Sequence, residues 1–157
     1  MYSALIVADE ILKIAKGKGM KLTPLQLMKL TYIAHGWSLA ILKKDLFQDR
    51  IEAWKFGPVI PDLYHATKHF GRNEIPFDQI GEADSTSVLP EDRTFLEDVT
   101  SKYGSLSGFA LSNLTHKSGT PWDQKYRDGE FGIEIPDSLI KDHYMGKLNE
   151  RQDSSAA

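Results

Sequence analysis

The chain has 157 residues, a formal net charge of −3 and no cysteine. A chain of this length forms one domain and can bury about 70% of its unfolded surface, so it needs no metal or disulfide in order to fold. The lack of cysteine excludes disulfide frameworks, thiolate zinc sites, iron–sulfur clusters and cysteine nucleophiles, and the acidic pI near 5.9 argues against a dedicated nucleic-acid-binding protein.

The first residues carry no targeting signal. They are mostly apolar, but they reach Asp9 and Glu10 without the basic start and the longer apolar run of a signal peptide. Elsewhere, no stretch approaches the roughly 18 apolar residues that a membrane-spanning helix needs. We therefore expect a cytoplasmic protein that makes no membrane contact.

Two helices are predicted in the first third of the chain. Apolar residues at helical spacing predict a helix over residues 2–16, with Ser3 as its N-cap. Thr23-Pro24 is the clearest helix start, because threonine caps free N–H groups and proline suits the first helical position. This second helix is predicted to run to about Lys44.

The second helix carries two apolar stripes instead of one. An amphipathic surface helix buries a single stripe, so two stripes predict a central helix that packs on both sides. Gly36, next to Trp37, costs about 1 kcal/mol relative to alanine inside a helix. A close crossing with another helix would offset that cost.

Proline, glycine and capping residues divide the rest of the chain into short elements. The predicted elements are a strand over 50–56 closed by Gly57-Pro58, a helix over 62–70 opened by Pro61 and stopped by Gly71, a loop over 71–88, a helix from Pro90 to Gly104, a short helix through Leu114 capped by Ser105 or Ser107, and a loop over 118–132. The last are a strand over 133–135, which can pair with residues 51–56, and a helix over 138–149 capped by Asp137.

The expected fold class is therefore mostly α. It is a compact helical domain of six or seven helices with a small two- or three-stranded β-sheet. Residues 1–150 are expected to form this single domain, and residues 151–157 a disordered tail.

Histidines are the candidates for enzyme chemistry. His65 and His69 share one helix face at metal-binding spacing, but a metalloprotease glutamate and a nearby third ligand are missing, so we expect two surface histidines. His35, in the central helix, is expected to be a core or interface histidine with one satisfied hydrogen bond, with a catalytic base as the alternative.

A hydrolytic triad can also be drawn from Ser112, His116 and Asp123. No Gly-x-Ser-x-Gly nucleophile elbow surrounds the serine, which argues against it. A small hydrolase or a metal-dependent enzyme that uses His35 or His116 stays open as an alternative, although we expect no bound metal.

Three sequence blocks are more specific than any of these patterns. They are Lys29-Leu-x-Tyr-x-x-x-Gly-Trp37, Trp54-x-x-Gly-Pro-Val-x-Pro61 and Leu111-Ser-x-x-Thr-His-x-x-x-x-Pro-Trp122. Together they resemble the Panacea domain family, the SocA-like antitoxins that include phage-associated proteins. The resemblance spans roughly residues 1–135 of the chain.

The resemblance implies an antitoxin that neutralises a cognate toxin protein by direct binding. It implies no enzymatic activity, no cofactor and no direct contact with nucleic acid. The family's namesake also hands its bound toxin to the ClpXP protease. A proteolytic adaptor that delivers the toxin to a ClpX-type AAA+ protease is therefore the alternative.

The turn around residues 54–58 is the expected toxin contact, and a core role for the same residues is the alternative. The chain's second half suits a basic toxin, because residues 81–157 hold 8 Lys or Arg against 14 Asp or Glu. The candidate partner-binding residues are Trp37, Trp54, Phe56, Gly57, Pro58, His116, Pro121 and Trp122.

Overall fold

A computed structural model describes residues 1–76 and 88–156, and their side chains up to position 152. The protein is 62% helical, and its described residues form seven α-helices and one two-stranded antiparallel sheet, which confirms the predicted fold class. The elements are α1 Ala4–Gly17, α2 Pro24–Trp37, β1 Glu52–Trp54, β2 Gly57–Val59, α3 Pro61–Thr67, α4 Pro90–Tyr103, α5 Gly108–His116, α6 Pro121–Lys125 and α7 Asp137–Ala156.

Helix α2 is the centre of the fold. It starts as predicted, because the Thr23 hydroxyl accepts a hydrogen bond from the Gln26 N–H at 3.3 Å and the Gln26 side-chain oxygen accepts one from the Thr23 N–H at 2.9 Å. Every residue from 27 to 37 is buried, and α2 contacts α1, α3, α4, α5 and α7. The prediction of a central helix packed on both sides is confirmed.

The end of α2 differs from the prediction. The α-helix stops at Trp37 and continues as a π-helical turn, Ser38–Leu42, which Lys43 ends in a left-handed conformation with φ of 58°. The close crossing expected at Gly36 is confirmed. A Cβ atom at this position would overlap the ring of Tyr144 on α7, so the absence of a side chain lets the two helices meet.

In place of the single strand predicted over 50–56, the structure has a hairpin of β1 and β2. The prediction that Gly57-Pro58 only closes the strand was wrong. Trp54 pairs with Gly57 and Ala53 with Pro58 across the two strands, so these residues belong to β2. Glycine permits the turn, because φ at Gly57 is +125°. The predicted pairing with 133–135 is present as one antiparallel bridge, flanked by a 2.8 Å hydrogen bond from the Ala53 N–H to the Ile133 carbonyl.

The loop predicted over 118–132 was also wrong in part, because it contains α6. Thr120 caps this helix by accepting a hydrogen bond from the Asp123 N–H at 3.2 Å, and Pro121 takes the first helical position. This Thr-Pro pair is the same start signal that Thr23-Pro24 gives for α2.

The other predicted boundaries are close to those observed. Ser3 caps α1, Ser107 rather than Ser105 caps α5, and α3 continues as a 3₁₀ turn to Phe70 before Gly71. Of the loop predicted over 71–88, residues 77–87 lie outside the described residues. Helix α7 runs past position 149, where its end was predicted, and the division at residue 150 stays a prediction. In the described part of the chain, no helix combines the length and the apolar character that crossing a bilayer requires.

Candidate functional site

A cleft of about 690 Å³ opens beside the β1–β2 hairpin. The start of α2 forms its floor, the hairpin and α3 form two walls, and the segment after α6 forms the remaining wall. Most lining side chains are apolar or aromatic, which is typical of binding sites. They include Leu25, Met28, Trp54, Phe56, Val59, Tyr64, Tyr126 and Phe131.

Trp54 forms the rigid centre of the hairpin wall. Its indole N–H donates to the Glu52 carboxylate at 2.9 Å, and this bond lowers the pKa of Glu52. The Tyr64 ring packs edge-on against the indole, with ring centroids 4.9 Å apart. Because both ends of the side chain are held, the Trp54 face toward the cleft is pre-organised for contact.

Two phenylalanines stand at the rim of the cleft with little to cover them. Phe56, in the hairpin turn, is 70% exposed, and Phe131, after α6, is 93% exposed. Both side chains line the cleft, so their exposed surfaces continue its apolar lining. Adjoining exposed apolar groups of this kind mark protein contact sites more often than scattered single residues do.

Residues of the third sequence block support the hairpin from behind. The Trp122 indole N–H donates to the Trp54 carbonyl at 2.5 Å, and the Ser112 hydroxyl donates to the Phe56 carbonyl at 2.9 Å. The His116 ring packs edge-on against Trp122, with centroids 5.4 Å apart. The second and third blocks therefore meet in space, and the third holds the backbone of the turn in place.

Lys29 is buried beneath the hairpin, and its ammonium donates to the Pro58 carbonyl at 2.9 Å. Burial lowers the pKa of Lys29 to about 7, and no carboxylate among the described side chains pairs with it to oppose that shift. Gly57 makes room for the amine, because a Cβ there would lie 2.7 Å from Nζ. Sequence reasoning missed this group, although a lysine inside a helix predicted to be buried on both sides was a usable signal.

The structure does not bring every predicted contact residue to the cleft. Trp37 is buried in the core, where its indole N–H donates to the Tyr103 hydroxyl at 3.0 Å and its ring meets Tyr144. Pro121 is buried at the start of α6 and does not line the cleft. Of the eight predicted residues, Trp54 and Phe56 line the cleft, and Gly57, Pro58, His116 and Trp122 lie behind them.

The possible hydrolytic triad is not assembled. His116 Nδ1 donates to the Ser112 carbonyl at 2.5 Å, so this nitrogen has no lone pair with which to deprotonate the serine. Asp123 accepts from the Gly119 N–H at 2.9 Å and so stabilises the loop before α6. The Ser112 hydroxyl lies 3.4 Å from His116 Nδ1, but both groups are bonded to backbone carbonyls and Asp123 to a backbone N–H, so all three stabilise local structure.

His65 and His69 lie at the surface, as expected. His65 Nδ1 is 3.4 Å from the Lys68 ammonium, and the His69 ring packs on Phe70 with centroids 3.9 Å apart. Within the described residues, no carboxylate or further histidine joins them as a third metal ligand.

His35 is a core histidine with one hydrogen bond, which agrees with the sequence interpretation. It is 1% exposed, stacks on Phe47 with centroids 4.2 Å apart, and holds Asp137 Oδ1 at 2.9 Å through Nε2. Asp45 Oδ1 lies 4.0 Å from the same nitrogen. The sequence did not suggest this cluster, because its members come from α2, from the loop before β1 and from the first turn of α7.

Comparison with known proteins shows what the chain is similar to. The family model described as "Antitoxin SocA-like, Panacea domain" matches residues 27–123, which contain all three sequence blocks. The chain is 31% identical over 151 residues to "Antitoxin SocA" of Caulobacter vibrioides (strain NA1000 / CB15N), an alignment that covers 88% of this chain and 80% of the relative. The comparison with solved structures gives no significant match.

Proposed function

The chain belongs to the family of SocA-like antitoxins that carry the Panacea domain, and on this basis we propose that it neutralises a cognate toxin by direct protein–protein contact. The toxin would be met in the cytoplasm, the location that the sequence predicts. The family membership supports the antitoxin role, and the cleft beside the hairpin supports a particular contact surface for it.

The observation that carries the contact surface is the apolar cleft with its two exposed phenylalanines. Trp54 is fixed in place, whereas Phe56 and Phe131 offer large apolar area that a partner can bury. Burying apolar area yields roughly 25 cal/mol per Å², and aromatic side chains in a pocket are the usual anchors of protein interfaces.

Charges at the rim suit a partner that is partly basic. Asp128 and Glu130 line the wall that carries Phe131, and both belong to the acidic second half of the chain. Lys55 and Lys68 line the opposite side. A basic segment of the toxin would therefore be oriented toward the 128–131 wall, and its association rate should fall as salt screens this attraction.

Growth rescue tests the proposal. The product of a neighbouring gene that arrests growth when expressed alone is the candidate toxin, and co-expression of the wild-type chain should restore growth and yield a stoichiometric complex. Phe56→Ala and Phe131→Ala should each weaken the complex at least tenfold, and the double variant should fail to rescue growth.

Phe109→Ala is the matched control, because Phe109 is 76% exposed on α5 and does not line the cleft. All three side chains are exposed, so none of the variants should lower the thermal midpoint of unfolding by more than about 2 °C. Full rescue by the Phe56/Phe131 double variant would contradict the contact surface and leave the antitoxin role itself in place.

Delivery to a ClpXP-type protease is the alternative mechanism, and the toxin's lifetime distinguishes the two. Simple masking predicts that the toxin persists in the complex, whereas an adaptor predicts that its half-life falls when this chain is present and recovers when ClpX is removed. The two mechanisms can share one contact surface.

Binding without catalysis fits the geometry better than hydrolysis. Ser112 and His116 are committed to carbonyl oxygens and Asp123 to a backbone N–H, so the groups of the possible triad hold the fold around the cleft. We therefore propose a non-enzymatic antitoxin.

A further inference from the structure

Helices α2 and α7 and the loop before β1 bring a histidine and two aspartates to one point. Their nearest ligand atoms, His35 Nε2, Asp45 Oδ1 and Asp137 Oδ1, all lie within 4.8 Å of one another. In the described part of the chain, this is the one group of three such residues close enough to share an ion. It does not line the cleft, and the proposed toxin contact makes no use of it.

The atoms that face one another here are not satisfied by the protein alone. Asp45 Oδ1 is enclosed and has no hydrogen-bond partner among the described residues, although it points at the His35 ring nitrogen. An enclosed carboxylate oxygen without a partner is costly unless another group satisfies it. A second carboxylate, that of Asp137, lies within 4.8 Å of it and faces the same point.

The histidine can present a lone pair to this point. Its other nitrogen, Nδ1, is buried without a hydrogen-bond partner in the described structure, so only the 2.9 Å hydrogen bond to Asp137 holds the proton on Nε2. Moving that proton to Nδ1 frees the Nε2 lone pair at the cost of the hydrogen bond to Asp137, whose carboxylate the ion would then bind. The ring itself is held in orientation by its stacking on Phe47.

We propose that His35, Asp45 and Asp137 bind one divalent transition-metal ion, with Zn²⁺ as the best fit. One imidazole nitrogen and two carboxylate oxygens form a donor set that Zn²⁺ uses, with a water in the fourth position. Zinc–ligand bonds near 2.0–2.1 Å place neighbouring ligand atoms about 3.3 Å apart in a tetrahedral site. The two spacings from Nε2, 2.9 Å and 4.0 Å, reach that value through shifts of less than about 1 Å.

Access and charge fit the same ion. The histidine side chain is 1% exposed, but those of Asp45 and Asp137 are 38% and 49% exposed, so one side of the cluster is open to solvent for entry and for a bound water. Two carboxylates close together repel each other when both are ionised, and a divalent cation between them removes that repulsion. The bound ion would join three segments that are distant in sequence.

The test is a metal titration of the full chain after treatment with EDTA, at pH 7.5. Zn²⁺ is measured by competition with a coloured chelator, and Co²⁺ serves as a visible-absorption probe of coordination geometry. We expect one Zn²⁺ per chain, intense d–d bands of a four-coordinate Co²⁺ complex, and a higher thermal midpoint with Zn²⁺ than with EDTA. Mg²⁺ at the same concentration should produce none of these effects.

Variants locate the ion. Asp45→Asn and Asp137→Asn should each lower the Zn²⁺ affinity at least tenfold and abolish the Zn²⁺-dependent rise in thermal midpoint. Asp142→Asn, on an exposed part of α7, is the matched control and should bind as the wild type does. The double variant His65→Ala/His69→Ala, which removes the surface pair, should also retain the ion.

The aspartate variants keep the test independent of folding, because both side chains are partly exposed and the buried His35 is left intact. Unchanged Zn²⁺ affinity in Asp45→Asn and Asp137→Asn would overturn the proposal. Loss of binding in His65→Ala/His69→Ala would overturn it as well, since the ion would then belong to the surface pair.

Discussion

Two basic side chains, Lys29 and His35, are buried on the same central helix in opposite surroundings. Lys29 meets a single backbone carbonyl, that of Pro58. His35 meets the carboxylates of Asp137 and Asp45. The surroundings of Lys29, here called the lysine end of α2, therefore disfavour positive charge. The surroundings of His35, the histidine end, hold an excess of negative charge.

The difference shows how one helix supports two kinds of site. Where no carboxylate opposes desolvation, burial lowers the pKa of Lys29 to about 7, so the floor of the cleft is only partly charged at neutral pH. Where a basic ring faces carboxylates, the hydrogen bond from His35 lowers the pKa of Asp137 instead. The lysine end is suited to apolar contact, and the histidine end to a cation.

Disrupting the crossing of α2 and α7 at Gly36, next to His35, should have the largest effect on stability. In Gly36→Val the new side chain overlaps the Tyr144 ring, so α7 must move away from α2. Overpacking typically costs about 1–3 kcal/mol of unfolding free energy, and we expect a loss of about 3 kcal/mol here because the overlap is with a buried ring. Urea titration will measure this loss. Gly146→Ala, where a Cβ meets nothing within 4 Å, is the control and should stabilise α7 by about 0.5–1 kcal/mol. Equal stability of the two variants would contradict the crossing.

Removing the amine at the lysine end should change the pH dependence of stability. The folded pKa of Lys29 is about 7 and its ordinary value is 10.5, so the unfolded chain binds more protons between those pH values. The unfolding free energy of the wild type should therefore rise with pH relative to Lys29→Met, by about 2 kcal/mol or more between pH 7 and pH 9.5.

Urea unfolding at pH 6, 7, 8 and 9.5 checks this difference, and the exposed Lys55→Met provides the control. Parallel pH profiles for the wild type and Lys29→Met would show that the lysine is not held in a charge-disfavouring site.

Neutralising Asp137 should have a smaller effect on stability, with the same sign of pH dependence as Lys29 but in a more acidic pH range. Because the hydrogen bond with His35 lowers the pKa of Asp137 in the folded state, its stabilising contribution is present above the unfolded pKa and disappears as the pH falls through the folded pKa. Asp137→Asn, measured in EDTA, should lose about 1 kcal/mol at pH 7 and match the wild type near pH 2–3. A deficit that persists in acid would indicate lost packing rather than lost charge.

Asp45→Asn should have the smallest effect in the absence of metal. The neighbouring Asp137 raises the pKa of Asp45 through a hydrogen bond, so ionised Asp45 is disfavoured in the folded state and its stability contribution falls as the pH rises through that window. In EDTA at pH 7, the variant should be as stable as the wild type or gain up to about 1 kcal/mol. Calorimetry of Asp45→Asn in EDTA and then in Zn²⁺ will show whether Asp45, which adds no stability without metal, is needed for the stabilisation by Zn²⁺.

The sequence predicted the fold where local chemistry decides it. Thr23 and Ser3 cap helices as expected, and the cost of a glycine at position 36 correctly indicated a close helix crossing. Helix α6 was missed although Thr120-Pro121 repeats the same start signal, because five helical residues leave no periodicity to read.

The candidate sites were less predictable, because they depend on contacts between distant segments. The sequence motifs led to the prediction of Trp54 and Phe56 as contact residues, and both line the cleft. Trp37, which was predicted with them, is buried in the core instead. The histidine–aspartate cluster joins positions 102 residues apart, and only the packing of α7 on α2 brings them together. The spacing of His65 and His69 was compatible with a metal, but the sequence analysis predicted two surface histidines, and no third ligand joins them in the described structure.

The placement of the indoles gives the protein a built-in optical reporter. Of its three tryptophans, Trp54 and Trp122 are half-buried and joined by a hydrogen bond at the cleft, whereas Trp37 is enclosed in the core. A partner that covers the cleft should shift the emission of Trp54, which lines it, to shorter wavelength and leave the contribution of Trp37 constant. Toxin binding can therefore be followed by intrinsic fluorescence without a label, and Trp37→Phe would remove the constant background.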